Sequence, residues 1–169
     1  MIGSDMPALR PFLAADVPIL AAIFVAAIEE LTGDDYSEEQ QEAWAASADD
    51  EEQFGQRLAG ELTLIATLRS SPVGFASLKN NDHIDMLYVH PSAAGQGVGS
   101  ALCDALEKLA GARGTKSLTV DASDNALDFF RNRGYVARQR NSVTVNGEWL
   151  ANTSMQKPLE SNTASGAPS

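Results

Sequence analysis

Five residues near the middle of the chain, Gly95-Gln96-Gly97-Val98-Gly99, lie between a predicted strand and a predicted helix. Glycine accepts backbone conformations that turn successive N–H groups toward one point, and the following helix adds the positive end of its dipole. An anion such as pyrophosphate is the natural ligand of such a loop. A tight turn that only packs a helix closely also selects glycine, so the loop by itself leaves both interpretations open.

Two titratable side chains lie on the predicted strand that leads into this loop. His83 and Asp85 share one face with Leu87, by strand periodicity, unless a bulge intervenes. An imidazole with an ordinary pKa near roughly 6.5 suits proton removal from an ammonium group. His83 is therefore the first candidate for a general base, and Asp85 is the second or a group that orients the imidazole. A solvated residue at the end of the strand is the alternative for His83.

A third candidate, Asp121, lies on a later strand whose residues alternate in polarity. The polar positions Ser117, Thr119, Asp121 and Ser123 are separated by Leu118, Val120 and Ala122. A polar face on a central strand requires hydrogen-bonding partners or a wet cleft. Asp121 is therefore a candidate for substrate contact, and a hydrogen-bonded structural aspartate is the alternative.

The elements that position these residues follow from apolar periodicity and from turn residues. Asp16-Val17-Pro18 marks the start of a helix with an apolar stripe from Leu20 to Leu31. The polar stretch from Ser37 to Gly60 predicts two shorter helices, around Trp44 and Phe54. Strands are predicted at Ala8–Phe12, Leu62–Leu68, Val73–Leu78, His83–Val89, Ser117–Ala122, Tyr135–Val145 and Trp149–Met155, the last two joined by an Asn146-Gly147 turn.

Two further helices are predicted in the second half of the chain. One starts at Val98 and is stopped by Gly111 and Gly114, and a short one is capped by Ser123-Asp124-Asn125 and ends at Gly134. The resulting order predicts a mixed α/β domain in which one βαβ crossover frames the glycine loop.

Length and charge limit the range of partners. The 169 residues suffice for one domain, which we assign to residues 1–158, and residues 159–169 are predicted to be a disordered tail. A composition with 44% hydrophobic and 21% charged residues is typical of a folded chain. The net charge of -11 disfavours nucleic acid as a partner. It indicates a well-solvated surface or, as the alternative, a bias toward cationic amine substrates.

The compartment and the metal content are also predicted from composition. No stretch reaches the roughly 18 apolar residues of a membrane-spanning helix, and the N-terminus lacks the pattern of a signal peptide. The single Cys103 cannot form an internal disulfide, and no Cys/His cluster has metal-ligand spacing. We therefore expect a cytoplasmic protein with no membrane attachment and no metal, and the sequence leaves a homodimer possible.

Two motifs, in the same order as in the family, resemble the GNAT superfamily of N-acetyltransferases. The first is Met86-Leu87-Tyr88-Val89-His90-Pro91, followed by the glycine loop and Ser100-Ala101-Leu102. The second is Ala126-Leu127-Asp128-Phe129-Phe130-Arg131-Asn132-Arg133-Gly134-Tyr135, which is similar to the family's late helix motif. The resemblance extends from Ala8 to Pro158 and is strongest from Ile84 to Tyr135. The segment from Tyr36 to Trp44 also resembles a bacterial subgroup of the family.

The resemblance implies a mostly antiparallel sheet with flanking helices, in which the fourth and fifth strands splay apart around the pantetheine of acetyl-CoA. It implies that the backbone of Leu87, Tyr88 and Val89 binds the pantetheine, while the Leu87 and Val89 side chains pack in the core. The pyrophosphate would be held by Gly95, Gln96, Gly97, Val98, Gly99 and Ser100. The implied reaction is direct attack of an amine on the thioester, with the acceptor unidentified. His83 matches the position on the fourth strand where family members often carry a carboxylate base.

Three positions depart from the family pattern. Ala94 stands where the family usually has Gln or Arg, so one side-chain contribution to the phosphate loop is missing. Ser123 stands where the family often has Asn, and either Ser123 or the nearby Asn125 is expected to meet the cofactor, with helix capping as the alternative. Phe130 replaces the tyrosine that often protonates the departing thiolate. Because a thiol of pKa about 8.5 is a tolerable leaving group, this loss is not expected to be disabling.

Some assignments stay open at this level. Tyr88, Tyr135, Cys103 or water are the alternatives for a proton donor, and a small core residue is the simpler role for Cys103. Tyr36, Trp44 and Trp149 are candidates for an acceptor pocket. A non-catalytic acyl-CoA-binding or sensing module is the main rival to an enzyme, because Phe130 has no proton to give. A protein-interaction module would leave the glycine loop unexplained.

Overall fold

The computed structural model describes residues 6–160, which form a seven-stranded sheet with flanking helices. In chain order the strands are β1 (Ala8–Pro11), β2 (Leu62–Leu68), β3 (Ser71–Lys79), β4 (His83–Val89), β5 (Ser117–Ser123), β6 (Val136–Val145) and β7 (Glu148–Pro158). Their order across the sheet is β1-β2-β3-β4-β5-β7-β6. Each neighbouring pair is antiparallel except β4 and β5, which run parallel. The predicted mixed, mostly antiparallel α/β fold is confirmed.

Five α-helices occur within the described residues. They are α1 (Val17–Leu31), α2 (Glu38–Ala45), α3 (Glu51–Ala59), α4 (Val98–Ala112) and α5 (Leu127–Asn132). The first three lie between β1 and β2, α4 makes the crossover from β4 to β5, and α5 connects β5 to β6. No helix in this part of the chain is long and apolar enough to cross a membrane.

Tight turns connect β2 to β3, β3 to β4 and β6 to β7. Residues with positive φ stand at each turn: Arg69 and Ser70 before β3, Asn80 and Asn81 before β4, and Asn146 and Gly147 before β7. Positive φ at both central residues matches the right-handed twist of a hairpin, and Asn and Gly adopt it at low cost. The predicted Asn146-Gly147 turn therefore joins the last two strands as expected.

The sheet separates two hydrophobic cores. On one face, α1, α2 and α3 pack over a set that includes Ile65, Phe75 and Met86. On the other face, α4 and α5 pack over a set that includes Ala76, Ile84 and Leu118. The two cores meet only through the sheet, so a break between neighbouring strands opens a passage from one face to the other.

Two details of the helix ends differ from the sequence prediction. Asp16 precedes α1 but makes no side-chain cap hydrogen bond, because its carboxylate binds Arg10 at 2.8 and 2.9 Å and the Leu13 N–H at 2.8 Å. Gly111 lies inside α4 and does not stop it. The helix ends at Ala112, and Gly114 follows with a φ of +88°.

The chain stays bound to the sheet just beyond β7. The Leu159 N–H donates to the Lys116 carbonyl at 2.8 Å, and the Leu159 side chain packs against the core under α4. Residues 161–169 of the predicted tail lie outside the described residues.

Candidate active site

The strands β4 and β5 separate along most of their length. They pair only at His83 with Thr119 and at Ile84 with Val120. Beyond this point β4 continues as far as Val89 along β3, while β5 continues as far as Ser123 along β7. The backbone of β4 from Asp85 onward therefore has no β5 partner, and the predicted splay is present.

The gap between the two strands is a cleft of about 680 Å³ that includes open solvent. Residues of β4 and β5 form its walls. Its two sides are closed by α1 and α2 and by the connection between β5 and α5. The lining comprises Ala27, Ile28, Leu31, Thr32, Trp44, Ile84, Asp85, Met86, Leu87, Tyr88, Val89, Val120, Asp121, Ala122, Ser123, Asn125, Ala126 and Phe130. A cleft of this size can hold an extended chain with hydrogen-bonding groups along one edge.

The glycine loop follows β4, beyond the point where β4 and β5 separate, and leads into α4. Gly95 and Gly97 have φ of +78° and +80°, and a Cβ at either position would meet nothing within 4 Å. Their requirement for glycine is therefore conformational, and the space in front of them is open. Val98, Gly99 and Ser100 are the first residues of α4, so their N–H groups have no carbonyl one turn earlier. The helix dipole and these free donors together favour an anion.

Close packing holds the loop against the sheet. A Cβ at Gly74 on β3 would lie 3.0 Å from Val98 and 3.1 Å from the Tyr88 carbonyl, so this glycine lets α4 begin directly over β4. His90 caps the short turn before the loop, because its Nδ1 accepts from the Ser92 N–H at 3.1 Å. The Gln96 side chain folds back to the Ser92 carbonyl at 3.2 Å. The loop is therefore held from both ends while its glycines stay uncovered.

Asp85 lines the cleft and is held by an arginine. Its Oδ2 accepts from Arg57 Nε at 2.8 Å, and the Asp85 side chain is 16% exposed. Burial disfavours the ionised carboxyl, but hydrogen bonds from Arg57 and Glu61 outweigh this and hold the pKa of Asp85 below its usual range. Sequence reasoning missed Arg57, because nothing in the polar stretch around it indicates which of its charged residues faces the sheet.

A second carboxyl, Glu61, lies behind Asp85. Burial, together with the neighbouring Asp85, raises the pKa of Glu61 to about 7. Its Oε1 and the nearby Ser77 Oγ are both buried, and the Ser77 hydroxyl interacts with the carboxyl and opposes the rise in its pKa. Ser77 is 0% exposed. Sequence reasoning missed this residue as well, since Glu61 directly precedes β2 and looks like one more solvated acid.

The order of side chains on β4 corrects one prediction. The pairing of β3 with β4 runs from Ser77–Met86 to Leu78–Ile84, so Asp85 is an extra residue on β4. This irregularity leaves Asp85 and Met86 both on the face of α1–α3, while Leu87 packs with the core under α4. His83 and Asp85 therefore share a face as expected, but Leu87 lies on the opposite one.

His83 lies where β4 and β5 still pair, at the closed end of the cleft, and does not line it. Its Nδ1 is 2.7 Å from Thr119 Oγ1, and its Nε2 is 3.9 Å from Asp121 Oδ2. The His83 side chain is 27% exposed. The residue is thus partly buried between Thr119 and Asp121, and it is not among the residues that line the cleft.

Asp121 lines the cleft from β5 and has a partner on β7. Its Oδ1 accepts from Ser154 Oγ at 2.7 Å, and Ser154 in turn accepts from Asn141 Nδ2 at 2.8 Å. The Asp121 side chain is 51% exposed. Both sequence interpretations of Asp121 therefore have support, since it is hydrogen-bonded within the sheet and also faces the cleft.

Ser123 and Asn125 line the cleft opposite β4. Ser123 precedes a 3₁₀ turn but makes no side-chain cap hydrogen bond, so the capping role considered for it is not observed. Leu87, Tyr88 and Val89 form the facing wall. The resemblance to the family assigned Leu87, Tyr88 and Val89 to the pantetheine and either Ser123 or Asn125 to the cofactor, and these two sets of residues face each other across the cleft.

Two of the candidate proton donors are remote from the cleft. Cys103 lies on α4 in the core, where burial raises the pKa of its thiol to about 12. Tyr135 is 1% exposed and donates to Glu107 at 2.9 Å, and burial raises its pKa. Tyr88 remains: its ring lines the cleft, its hydroxyl accepts from Trp44 Nε1 at 3.2 Å, and burial raises its pKa to about 12.

Of the aromatic candidates, two border the α1–α2 side of the cleft. The Tyr36 hydroxyl donates to the Ala151 carbonyl at 2.6 Å and accepts from the Asp124 N–H at 2.8 Å, which ties the α1–α2 connection to β7 and the β5–α5 turn. Trp44 lines the cleft and contacts both Tyr36 and Tyr88 edge to face. Trp149 is 62% exposed and does not line the cleft.

The geometry combines three chemical functions. The glycine loop offers N–H donors for an anion, the unpaired β4 backbone offers polar groups along a narrow channel, and two carboxylates, Asp85 and Asp121, line the channel. Within residues 6–160 no group of three or more His, Cys, Asp or Glu side chains forms a metal site.

Comparison with known proteins gives concordant relatives. A family model described as an acetyltransferase (GNAT) domain matches residues 32–159. The uncharacterized N-acetyltransferase YafP of Escherichia coli strain K12 is 34% identical over 148 residues, covering 88% of this chain and 93% of YafP.

Solved structures have the same fold. The crystal structure of a GCN5-related N-acetyltransferase from Rhodopseudomonas palustris is 68% identical, with a TM-score of 0.91 over 94% of this chain and 99% of that one. PaiA N-acetyltransferase of Thermoplasma acidophilum, solved in complex with coenzyme A, is 19% identical, with a TM-score of 0.74 over 90% of this chain and 99% of PaiA. The predicted class, an acetyl-CoA-dependent N-acetyltransferase, is thereby confirmed, and the chain belongs to the GNAT family of acetyltransferases.

Proposed function

We propose that this enzyme acetylates a primary amine that carries a positive charge and reaches the thioester from the side of α1 and α2. The observation that carries the proposal is the cleft between β4 and β5, which is lined by Asp85 and Asp121.

Acetyl-CoA is assigned to the cleft with its pyrophosphate at the glycine loop. The free N–H groups at the start of α4 match the anion, and the open space before Gly95 and Gly97 can hold it. The pantetheine would lie along the backbone of Leu87, Tyr88 and Val89, opposite Ser123 and Asn125. The coenzyme A complex of PaiA, whose fold is similar, agrees with a CoA ligand.

The acceptor is assigned to the side of the cleft where the carboxylates stand. Asp121 adjoins a polar patch that includes Thr119 and Ser154, and Trp44 supplies an aromatic wall. Two carboxylates attract an ammonium group and leave a neutral acceptor less favoured. The net charge of -11 acts in the same direction at longer range.

Asp85 is assigned as the proton acceptor. The sequence ranked His83 first, but His83 lies outside the lining of the cleft, whereas Asp85 is part of it. A base must come within hydrogen-bonding distance of the proton that it removes. The unpaired N–H groups of β4 are assigned to stabilise the developing oxyanion. Because Phe130 stands where the family often has a tyrosine, no side chain at that position protonates the departing thiolate.

The reaction balances with two protons leaving the nitrogen. Asp85 takes one from R–NH₃⁺, the neutral amine attacks the thioester carbon, and a C–N bond forms as the C–S bond breaks. The nitrogen loses its second proton as the amide forms, and the departing sulfur takes it up to give CoA thiol. The products are the acetamide and CoA, and the proton on Asp85 returns to solvent.

The test is release of CoA thiol from acetyl-CoA in the presence of an amine panel that includes polyamines, amino acids, aromatic hydroxylamines and lysine peptides. We expect turnover with at least one cationic amine and a KM that increases with ionic strength. Asp121→Asn should raise that KM about two- to fivefold, because it removes one partly exposed charge. Asp128→Asn, which changes an exposed carboxylate on α5, is the matched control.

Two outcomes would contradict the proposal. Binding of acetyl-CoA with no thiol release from any amine would favour the non-catalytic acyl-CoA-binding module. A preference for neutral acceptors would remove the role of the carboxylates.

We also propose a cytoplasmic location and leave a homodimer as a possible assembly. The free, buried thiol of Cys103 supports a reducing compartment.

A further inference from the structure

Four polar side chains meet behind the acidic wall of the cleft. Arg57 comes from α3, Glu61 from the start of β2, Ser77 from β3 and Asp85 from β4. Arg57 binds Asp85 Oδ2 at 2.8 Å, and the Glu61 carboxyl is in hydrogen-bonding contact with Asp85. We infer that Glu61 is a positioning residue that shares a proton with Asp85 and thereby makes the pair, and not Asp85 alone, the base of acetyl transfer.

The first observation concerns the geometry of the pair. Asp85 is the extra residue in the pairing of β3 and β4, and this turns its carboxylate back toward α3 and the start of β2. Only Asp85 of the two carboxyls lines the cleft. A proton that Asp85 takes from the acceptor can therefore pass to Glu61, which is set behind it.

The second observation is the burial of the Glu61 carboxyl. Glu61 Oε1 and Ser77 Oγ are both buried, and Ser77 is 0% exposed. The Ser77 hydroxyl interacts with the Glu61 carboxyl and opposes the rise of its pKa, but burial and the contact with Asp85 outweigh this interaction. A proton on Glu61 removes one buried charge and lets the carboxyl donate to Asp85, so the protonated form relieves the site.

The third observation is charge. The groups that face Glu61 and Asp85 are Arg57 from α3 and, on β4, His83 and the hydroxyl of Tyr88. One guanidinium cannot neutralise two carboxylates that touch, so the second carboxylate tends to hold a proton. Burial, together with the Asp85 charge, raises the pKa of Glu61 to about 7, which puts the exchange of this proton in the working range of a cytoplasmic enzyme.

The step is a proton exchange within the reaction proposed above, on which this inference rests. With both carboxyls ionised, the pair accepts one proton from R–NH₃⁺ and becomes singly protonated. The neutral amine then attacks, and the pair releases its proton to solvent after the product leaves. The active form is the doubly ionised pair, so kcat/KM rises with pH through the pKa of Glu61.

The test compares the pH profiles of kcat/KM for the wild type, Glu61→Gln and Glu61→Asp with the amine found active. We expect an acidic limb near pH 7 in the wild type. In Glu61→Gln, Asp85 is left as the single base, and it is weaker than the pair because Arg57 holds the pKa of Asp85 low. The variant should lose about tenfold or more in the plateau, and its acidic limb should move below pH 6. Glu61→Asp keeps a carboxyl and should restore a limb near neutral pH.

A matched control and a second measurement keep the inference open to refutation. Glu52→Gln removes an equal charge from the exposed side of α3 and should behave as the wild type does. Infrared difference spectra between pH 6 and pH 8 should contain a protonated-carboxyl band that Glu61→Gln removes, with or without an active acceptor.

The outcomes separate this inference from the proposed function. If no amine is acetylated by the wild type, the proposed function is wrong, and the infrared band still reports on the pair. If Glu61→Gln keeps both the wild-type pH profile and the wild-type infrared spectrum, Glu61 does not share a proton with Asp85 and the inference is overturned.

Discussion

The phosphate-loop assignment can be tested by placing a carboxylate at Gly97. This residue has a φ of +80°, and a Cβ there would meet nothing within 4 Å. A side chain at Gly97 would therefore cause no collision in the folded protein, and its cost is the left-handed backbone alone, about 1–2 kcal/mol. For a domain of this length such a loss lowers Tm by a few degrees.

The effect on ligand binding should be larger than the effect on stability. A glutamate carboxylate about 6 Å from a phosphate charge is repelled by about 3 kcal/mol at an effective dielectric constant of roughly 20. This corresponds to about a hundredfold loss of affinity. At a ligand concentration of about 100 times the wild-type Kd, the wild type gains about 2.7 kcal/mol of stability from binding. Gly97→Glu would then gain only about 0.4 kcal/mol.

A matched control is available at the far end of the same helix. Gly114 has a φ of +88°, and a Cβ there would also meet nothing within 4 Å. It lies about 25 Å from Gly97 along α4. Gly114→Glu should thus have the same backbone strain and the same added charge, with no effect on the ligand.

The assay is thermal unfolding of the wild type and both variants, with and without CoA. We expect both variants to unfold a few degrees below the wild type without CoA. With CoA, the wild type and Gly114→Glu should gain equal Tm increments, and Gly97→Glu should gain almost none. An equal increment in all three proteins would refute the assignment of the pyrophosphate to this loop.

Substitutions at three further positions test the site. His83→Gln should lower kcat/KM by less than about tenfold and keep the acidic limb of its pH profile, because His83 lies outside the lining of the cleft. If kcat/KM instead falls about a hundredfold and the acidic limb disappears, His83 is the base. Phe130→Leu should lower the free energy of unfolding in urea by about 1–2 kcal/mol and change activity only through packing, since the ring is 2% exposed and contacts Phe129 and Tyr135 edge to face. Phe130→Tyr should raise turnover modestly. Complete inactivity of Phe130→Leu with normal CoA binding would show that the ring does more than pack. The folded-state pKa of Glu61 is raised from 4.5 to about 7, so the stability that its protonation gives is present below pH 4.5 and is lost as the pH rises to about 7. In urea unfolding, the stability of Glu61→Gln relative to the wild type should therefore increase by about 1 kcal/mol between pH 4 and pH 8, after allowance for the partial exposure of Glu61. Stability curves that stay parallel over this pH range would exclude the raised pKa.

The local parts of this fold could be predicted from the sequence. The bounds of β2 and β4 agree with the prediction, because turn residues and apolar runs define them within a few positions of the chain. The positive φ of Gly97 and the turn at Asn146 follow from backbone preferences that each residue has by itself. The two motifs that identified the family are of the same kind, since each is one continuous short stretch of the chain.

Other features depend on pairing between distant segments. The extra residue at Asp85 exists only in the register of β4 against β3, so strand periodicity alone placed Leu87 on the wrong face. The end of pairing between β4 and β5, which opens the cleft, is likewise a property of two strands that are separated in the chain by the whole of α4.

The acidic wall of the site was decided only by tertiary structure. Arg57 is the one basic residue of the polar stretch from Ser37 to Gly60, and Glu61 directly follows that stretch. Packing of α3 on the sheet and the start of β2 bring both residues to Asp85. A sequence specifies which residues can ionise, but the pKa of each depends on the burial and the charges that surround it after folding. The chain by itself therefore determined the family, the glycine loop and the strands, and the fold determined which carboxyls lie beside each other behind the cleft and which of them has a raised pKa.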